Sequence, residues 1–159
     1  MQEHVSQLAT ARAKLEESLL AKGLRRSGER FAILDEVYSR NDHFDADHLY
    51  QAMYQKGYPV SRATVYNTLE VLVDCGLVIK HHFGEDDNSK SRYEKALGRQ
   101  QHAHLVCLNC HSVKEFCDPR LQLIKTNVGN SLQFHVESHS LVFYGECLDE
   151  NCEKRGVII

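Results

Sequence analysis

Apolar residues recur with a helical period of about 3.6 residues through much of the N-terminal half of the chain. The first such stripe comprises Val5, Leu8, Leu15 and Leu19. Gly23 follows it and predicts the end of a helix, because glycine readily adopts the left-handed conformation that terminates helices. Ser27 and Asp45 precede two further stripes, and their side chains are of the type that caps a helix N-terminus. The pattern therefore predicts three consecutive helices.

A fourth helix is predicted at residues 62–74, between Ser61 as its N-cap and Gly76 as its C-terminal stop. Its apolar face comprises Val65, Leu69, Leu72 and Val73, and its polar face comprises Arg62, Tyr66, Asn67 and Glu70. An apolar run at residues 77–83, a polar loop (GEDDNS) and a return through Tyr93 predict a β-hairpin. This order of elements is that of a winged helix-turn-helix, although a small helical bundle with an attached hairpin has the same periodicity.

Shorter apolar runs follow at residues 105–108, 113–116 and 140–144, and each predicts a β-strand. Asp118 and Pro119 predict the start of one more helix, because proline is favoured at the first helical position. The apolar stripe of that helix comprises Leu121, Ile124, Val128 and Leu132, and we expect it to be buried.

A short glycine-containing link with few apolar residues separates the two patterns, and we interpret it as a hinge. We predict an α+β fold with an N-terminal winged helix-turn-helix domain at residues 1–95, the hinge at 96–101, and a small C-terminal α/β dimerisation domain at 102–159. Small strands and one helix bury little apolar surface by themselves, so we expect the second domain to pair with another copy as a homodimer.

Composition narrows the cellular setting and the partners. Among the 159 residues, no apolar run approaches the ~20 residues that a membrane span requires, and the N-terminus is polar and charged. These features favour a cytoplasmic protein without a membrane partner. The net charge of −3 excludes a generically basic nucleic-acid protein, so DNA binding would have to come from local clusters of positive charge.

The cysteines predict a structural zinc site. Cys107 and Cys110 form a CxxC pair, and Cys147 and Cys152 form a second close pair. Tetrahedral zinc takes four such thiolates, and structural zinc binding can stabilise a domain that has a small core. Two structural disulfides are the alternative, but cytoplasmic thiols stay reduced, which favours the metal.

Two histidines beside the first cysteine pair predict a second kind of metal site. His102 and His104 alternate along a predicted strand, so both side chains point to the same side of it. Imidazole nitrogens combined with carboxylate oxygens suit ferrous iron, manganese or zinc better than cuprous copper.

Four motifs in this order resemble the ferric uptake regulator family of bacterial metal-responsive repressors. They are residues 61–69 (SRATVYNTL), residues 102–110 (HAHLVCLNC), Glu115 with Phe116, and residues 139–141 (HSL) followed by Cys147. The resemblance covers nearly the whole chain. It implies a winged-helix domain that binds operator DNA, a dimerisation domain, and a regulatory metal that closes the hinge between them.

The resemblance also implies which residues bind the regulatory metal. By position they are His43, Glu94, His102, His104 and Glu115, with ferrous iron as the metal and manganese or zinc as possible replacements. A further metal site of many family members would use the positions of Gln101, Ala103, Gln122 and His139. Since most of these side chains are poor ligands, we predict that this further site is absent or impaired. Isolated histidines such as His81 are expected to be solvated surface residues.

A DNA-contacting face is predicted despite the overall negative charge. Arginines there would contact phosphates or a narrow groove, Thr64 would bond a phosphate, and the Tyr66 ring would meet a thymine methyl group. The predicted DNA-binding residues are Arg25, Arg26, Arg30, Arg62, Thr64, Tyr66 and Asn67. The alternative is that Tyr66 covers an edge of the core and the arginines form a solvated face.

The sequence therefore predicts a metal-dependent transcriptional repressor, not an enzyme, that senses ferrous iron and controls iron-uptake genes. Peroxide sensing and zinc sensing are alternatives within the family; glutamate rather than aspartate at position 115 favours iron sensing over peroxide sensing. A zinc-dependent hydrolase is an alternative of a different class, but no general-base constellation accompanies the histidines. A zinc-stabilised protein-interaction adaptor that does not bind DNA is a further alternative of a different class.

Overall fold

The computed structural model describes residues 2–83, 91–99, 101–148 and 152. The chain divides into two compact units, Met1–Arg99 and Gln100–Ile159, which are described separately. In the parts of the chain so described, every helix is too short or too polar to cross a membrane.

The first unit contains four helices and a two-stranded antiparallel sheet. These elements are α1 (Gln2–Ala21), α2 (Gly28–Ser39), α3 (Ala46–Gln55), α4 (Arg62–Asp74), β1 (Val78–His81) and β2 (Arg92–Lys95). The predicted caps are confirmed: the side chains of Ser27, Asp45 and Ser61 each accept a backbone N–H bond at the start of α2, α3 and α4. The strand pair confirms the predicted hairpin, whose loop lies outside the described residues.

The core of the first unit lies between the helices and the hairpin. Val65, Leu69 and Leu72 of α4 are fully buried, as the apolar stripe predicts, while Tyr66 on the opposite face is exposed. Gly76 ends α4 with φ +63, a left-handed conformation that favours glycine, and the chain then turns directly into β1. Helix α4 is therefore held against the core by one face and presents its polar face to solvent.

The second unit combines a three-stranded sheet with one helix. The elements are β3 (Ala103–Cys107), β4 (Val113–Phe116), α5 (Pro119–Leu132) and β5 (Val142–Gly145), and the sheet order is β4-β3-β5. Strand β3 pairs antiparallel with β4 and parallel with β5. Asp118 caps α5 through the N–H of Arg120, with Pro119 as its first residue, as predicted.

The apolar stripe of α5 departs from its prediction within one chain. Ile124, Val128 and Leu132 are 57%, 46% and 63% exposed, and the adjacent Leu123 is 64% exposed. The expectation that this stripe is buried is therefore wrong for the single chain. A periodic apolar face predicts that one side of a helix can be buried. It does not predict whether the residues that bury it belong to the same chain or to another copy.

Candidate metal centres and nucleic-acid interface

Four cysteine sulfurs converge at one end of the second unit. The Sγ atoms of Cys107, Cys110, Cys147 and Cys152 all lie within 4.8 Å of one another. Strands β3 and β5 are parallel neighbours that end at the same edge, and this brings Cys107 beside the segment that carries Cys147. The 3.9 Å between the sulfurs of Cys110 and Cys147 is close to the ~3.8 Å edge of a tetrahedron with Zn–S bonds of about 2.3 Å. The donor set thus fits one zinc ion.

Polar contacts within this cysteine cluster prepare some of its thiols for metal binding. Hydrogen bonds from the backbone N–H groups of Cys110 and Cys147 lower the pKa of Cys107 to about 6. The pKa of Cys110 is lowered by hydrogen bonding to Ser112, whose Oγ lies 3.2 Å from the sulfur. The thiol–thiol hydrogen bond with Cys152 raises the pKa of Cys147 to about 12. Four thiolates would also fill every coordination position of zinc, so this cluster leaves none for a catalytic water.

A histidine and a glutamate come together in the first unit through a backbone bridge. Phe44 and Tyr93 exchange backbone hydrogen bonds of 3.0 and 2.7 Å, which joins the loop before α3 to strand β2. Their neighbours His43 and Glu94 are thereby brought close, with 3.7 Å between Nε2 and Oε2. His43 lies in the loop after α2, which ends at Ser39, and Glu94 lies within the hairpin.

His81 belongs to the same cluster, although the sequence predicts a solvated surface residue there. Its side chain is only 16% exposed, and its Nε2 lies 2.7 Å from Glu94 Oε1. The His81 and His43 ring centroids are 5.4 Å apart. The prediction for His81 is wrong because its burial depends on the pairing of β1 with β2, and sequence periodicity does not give that register. Knowledge of the register between β1 and β2 would have predicted that His81 lies near Glu94.

The predicted histidine pair lies, with a carboxylate, in a cluster of possible metal ligands within the second unit. The rings of His102 and His104 have centroids 4.7 Å apart, which confirms that they lie on the same side of the chain. His104 is the cross-strand partner of Glu115 on β4, and Glu115 Oε2 lies 3.9 Å from His102 Nε2. This cluster offers two imidazoles and a carboxylate without any thiolate, a set that suits ferrous iron, manganese or zinc.

The positions of the family's further metal site make other contacts here. The side-chain amide of Gln101 donates a hydrogen bond to the backbone carbonyl of His139, and Ala103 is buried in the sheet without a ligating atom. Gln122 is exposed on α5. The absence of a metal from these positions remains a prediction.

Five of the seven predicted DNA-contacting residues line one concave surface of the first unit. Arg25, Arg26 and Arg30 line a concave surface together with Thr64 and Asn67 of α4. Arg62 stands at the start of α4, where its guanidinium pairs with Asp47 at 2.8 Å and lies 5.0 Å from the centroid of the Tyr50 ring. Tyr66 is 46% exposed, so about half of its side chain is accessible on the surface of α4. The surface therefore presents positive charge beside the exposed face of α4.

The fold and the sites define a class of protein: a DNA-binding regulator whose second unit carries metal-ligating side chains. The sequence model of the Ferric uptake regulator family matches residues 21–144, and the chain belongs to this family. Its members are transcriptional regulators and not enzymes, so this chain is a metal-responsive transcriptional repressor.

Individual relatives agree with this assignment. The "Ferric uptake regulation protein" of Vibrio anguillarum is 32% identical over 139 residues, which cover 87% of this chain and 91% of the relative. The Helicobacter pylori ferric uptake regulator, whose structure is described as revealing three functional metal binding sites, matches with a TM-score of 0.75 and 25% identity over 94% of this chain and 96% of its own. A zinc-bound manganese uptake regulator matches with a TM-score of 0.59 and 29% identity over 85% and 99%.

Proposed function

We propose that this repressor uses ferrous iron as its corepressor and that, as a homodimer, it binds operator DNA that controls iron-uptake genes. The observation that carries the proposal is that each unit holds a cluster of nitrogen and oxygen ligands without sulfur: His43 with Glu94, and His102 with His104 and Glu115. Such donors suit ferrous iron, and relatives named for ferric uptake regulation support that choice.

The four cysteines have a different role in this proposal. Cys107, Cys110, Cys147 and Cys152 hold a structural zinc ion, which keeps the ends of β3 and β5 together. A structural zinc ion contributes folding free energy to a unit whose own core is small. In this proposal the site with sulfur donors stabilises the fold, and the site with nitrogen and oxygen donors senses the metal.

Control of DNA binding follows from ligands contributed by both units. An ion ligated by residues of both units would hold the two units in one arrangement. We propose that a dimer in this arrangement matches the two half-sites of an operator. A shift of that arrangement from about 1% to about 99% of molecules requires about 5.5 kcal/mol of differential metal binding. Four or five ligands are sufficient for an energy of this size.

The exposed face of α4 and the arginines beside it would contact the operator. Tyr66 is exposed enough to meet a thymine methyl group in the major groove, and Thr64 lies at the helix N-terminus, where a phosphate is favoured. Arg25, Arg26 and Arg30 would neutralise phosphates. Asp47 holds Arg62 in place beside the start of α4.

The test is a mobility-shift titration under anaerobic conditions, with an operator selected from random duplexes by the iron-loaded wild-type protein. His102→Ala is expected to weaken iron-dependent binding by at least about tenfold, since one ligand is lost from the regulatory site. His135→Ala is the matched control, because this exposed histidine of the same unit lies outside the cluster. Unchanged iron-dependent binding by His102→Ala would contradict the proposal.

Manganese is the second candidate corepressor, because a manganese uptake regulator is among the structural neighbours and the donor set suits manganese as well. Titrations of the same operator with iron, manganese and zinc would distinguish these metals. Addition of peroxide to the iron complex tests peroxide sensing, which we expect to be absent.

A further inference from the structure

Glu94 is buried in the first unit, and both of its carboxylate oxygens are engaged by side chains of that unit. Its side chain is 2% exposed. Arg99 Nη1 lies 2.8 Å from Oε2, and His81 Nε2 lies 2.7 Å from Oε1. An ionised carboxylate taken out of water is strongly destabilising unless cationic groups or hydrogen-bond donors compensate it. Arg99 and His81 supply that compensation in the protein without a regulatory metal.

We propose that Arg99 competes with the regulatory metal for Glu94 and thereby sets the metal concentration at which the repressor responds. The inference rests on the proposed function, in which Glu94 is a metal ligand. The oxygen that Arg99 contacts, Oε2, is also the one that lies 3.7 Å from Nε2 of His43, the other proposed ligand of this unit. A metal ion held by His43 and Glu94 would therefore use the carboxylate oxygen that Arg99 contacts.

The chemistry of the guanidinium makes this competition direct. Arginine keeps its charge at every physiological pH, so Arg99 cannot make way for a cation by losing a proton. A divalent ion and a guanidinium at one carboxylate oxygen repel each other strongly in a buried site. Metal binding to Glu94 therefore requires that the Arg99 side chain withdraw.

The position of Arg99 allows such a withdrawal. The side chain is 15% exposed, so part of it already meets water, and its long aliphatic stem can move the charge outward. Arg99 is the last residue of the first unit and lies in the segment predicted to be the hinge. Gly98 precedes it with φ +78, a left-handed conformation that favours glycine. The backbone before Arg99 is thus constrained, so movement of the charge would come from the Arg99 side chain.

The change in metal affinity on removing Arg99 distinguishes two roles for this residue: competing with the metal for Glu94, or holding Glu94 in position for the metal. If Arg99 competes, its removal tightens metal binding and destabilises the metal-free protein, because buried Glu94 loses its cation. If Arg99 instead holds Glu94 in position for the metal, its removal weakens metal binding. The direction of the change in affinity therefore decides the matter.

The experiment measures Mn²⁺ binding to the zinc-loaded, full-length protein by calorimetric titration, since manganese is stable in air and avoids thiolate sites. Arg99→Gln is expected to bind Mn²⁺ about tenfold more tightly than wild type, a change equivalent to about 1.4 kcal/mol. Its melting temperature without Mn²⁺ is expected to fall, and the increase in melting temperature on adding Mn²⁺ is expected to grow.

Arg92→Gln is the matched control, because it also removes one positive charge, in this case from strand β2, the strand that carries Glu94. Arg92 lies 3.6 Å from Asp45 and is not among the groups found at Glu94. Its affinity for Mn²⁺ is expected to stay within about twofold of wild type, as for a partly exposed pair. Arg99→Lys retains the charge but loses the planar fork, so its affinity should lie between those of wild type and Arg99→Gln. This variant carries the test if Arg99→Gln fails to fold.

Unchanged or weaker Mn²⁺ binding by Arg99→Gln, with normal binding by wild type, would overturn the competition and leave the proposed function intact. An equal gain in affinity from Arg92→Gln would also overturn it, because the effect would then be general electrostatics. Absence of Mn²⁺ binding in the wild-type protein would contradict the proposed function together with this inference.

Discussion

Tyr38 shows how much one buried polar group contributes to the first unit. The side chain is 1% exposed, and its hydroxyl donates a hydrogen bond of 3.0 Å to the carbonyl oxygen of Leu77. Burial raises the pKa of Tyr38 to about 12 from an ordinary value of 10.0. The bond ties the end of α2 to the residue just before β1, so Tyr38 joins a helix to the hairpin of the winged unit.

Tyr38→Phe is expected to lower the free energy of unfolding by about 1 kcal/mol at neutral pH, because the Leu77 carbonyl loses one of its two donors and keeps only the N–H of Ala96. Since the folded-state pKa is raised, the contribution of the neutral hydroxyl is complete below about pH 10 and is lost as the pH rises towards 12. Denaturant unfolding of both proteins between pH 7 and pH 12 measures this difference. A difference that stays constant over this range would contradict the assignment.

At the scale of elements, local chemistry defines most of the boundaries. Serine and aspartate caps and Gly76 mark helix ends through bonds that each residue makes with its near neighbours, so the sequence predicts them well. Strand pairing depends on residues far apart in sequence, which is why the burial of His81 was not predictable. The same holds for the bridge that brings His43 towards Glu94. The structure brings His43 close to Glu94 in the first unit and His102 close to His104 and Glu115 in the second, while their role as metal ligands remains a prediction.

Helix α4 provides the prediction at this scale. Ser61 Oγ accepts a 3.0 Å hydrogen bond from the N–H of Thr64 at the start of the proposed reading helix. Ser61→Ala is expected to lower the free energy of unfolding by about 1 kcal/mol, because that N–H loses its cap. Ser61→Asp is the control and should retain most of the stability, as aspartate caps equally well. Denaturant unfolding followed by circular dichroism compares them; equal losses in both variants would argue against the cap.

At the scale of the whole molecule, the exposed stripe on α5 is the surface we expect to form the homodimer. A row of large apolar side chains on one helix is costly in water, and a second copy of the chain is the partner that the small second unit predicts. The sequence predicts the apolar stripe but not what buries it. The spacing of the apolar residues is the same whether the stripe packs within one chain or against a second copy.

Ile124→Asp is expected to weaken the dimer by at least about tenfold, since the stripe would bury a charge. Analytical ultracentrifugation over a range of concentrations measures the dissociation. Leu20→Asp is the control, because Leu20 is 83% exposed on α1 and far along the chain from the stripe. A dimer of unchanged strength in Ile124→Asp would show that α5 is not the interface.

Strand β3 carries both His104 and Cys107, so in the proposed scheme one short segment supplies a ligand to each of the two metals. Disorder at the cysteine end of β3 would also misplace the imidazole of His104, which lies only three residues before Cys107. We therefore expect an order of loading in which zinc precedes the sensed ion. Protein purified with strong chelators would respond poorly to iron for a reason unrelated to iron, and prior zinc repletion would restore the response.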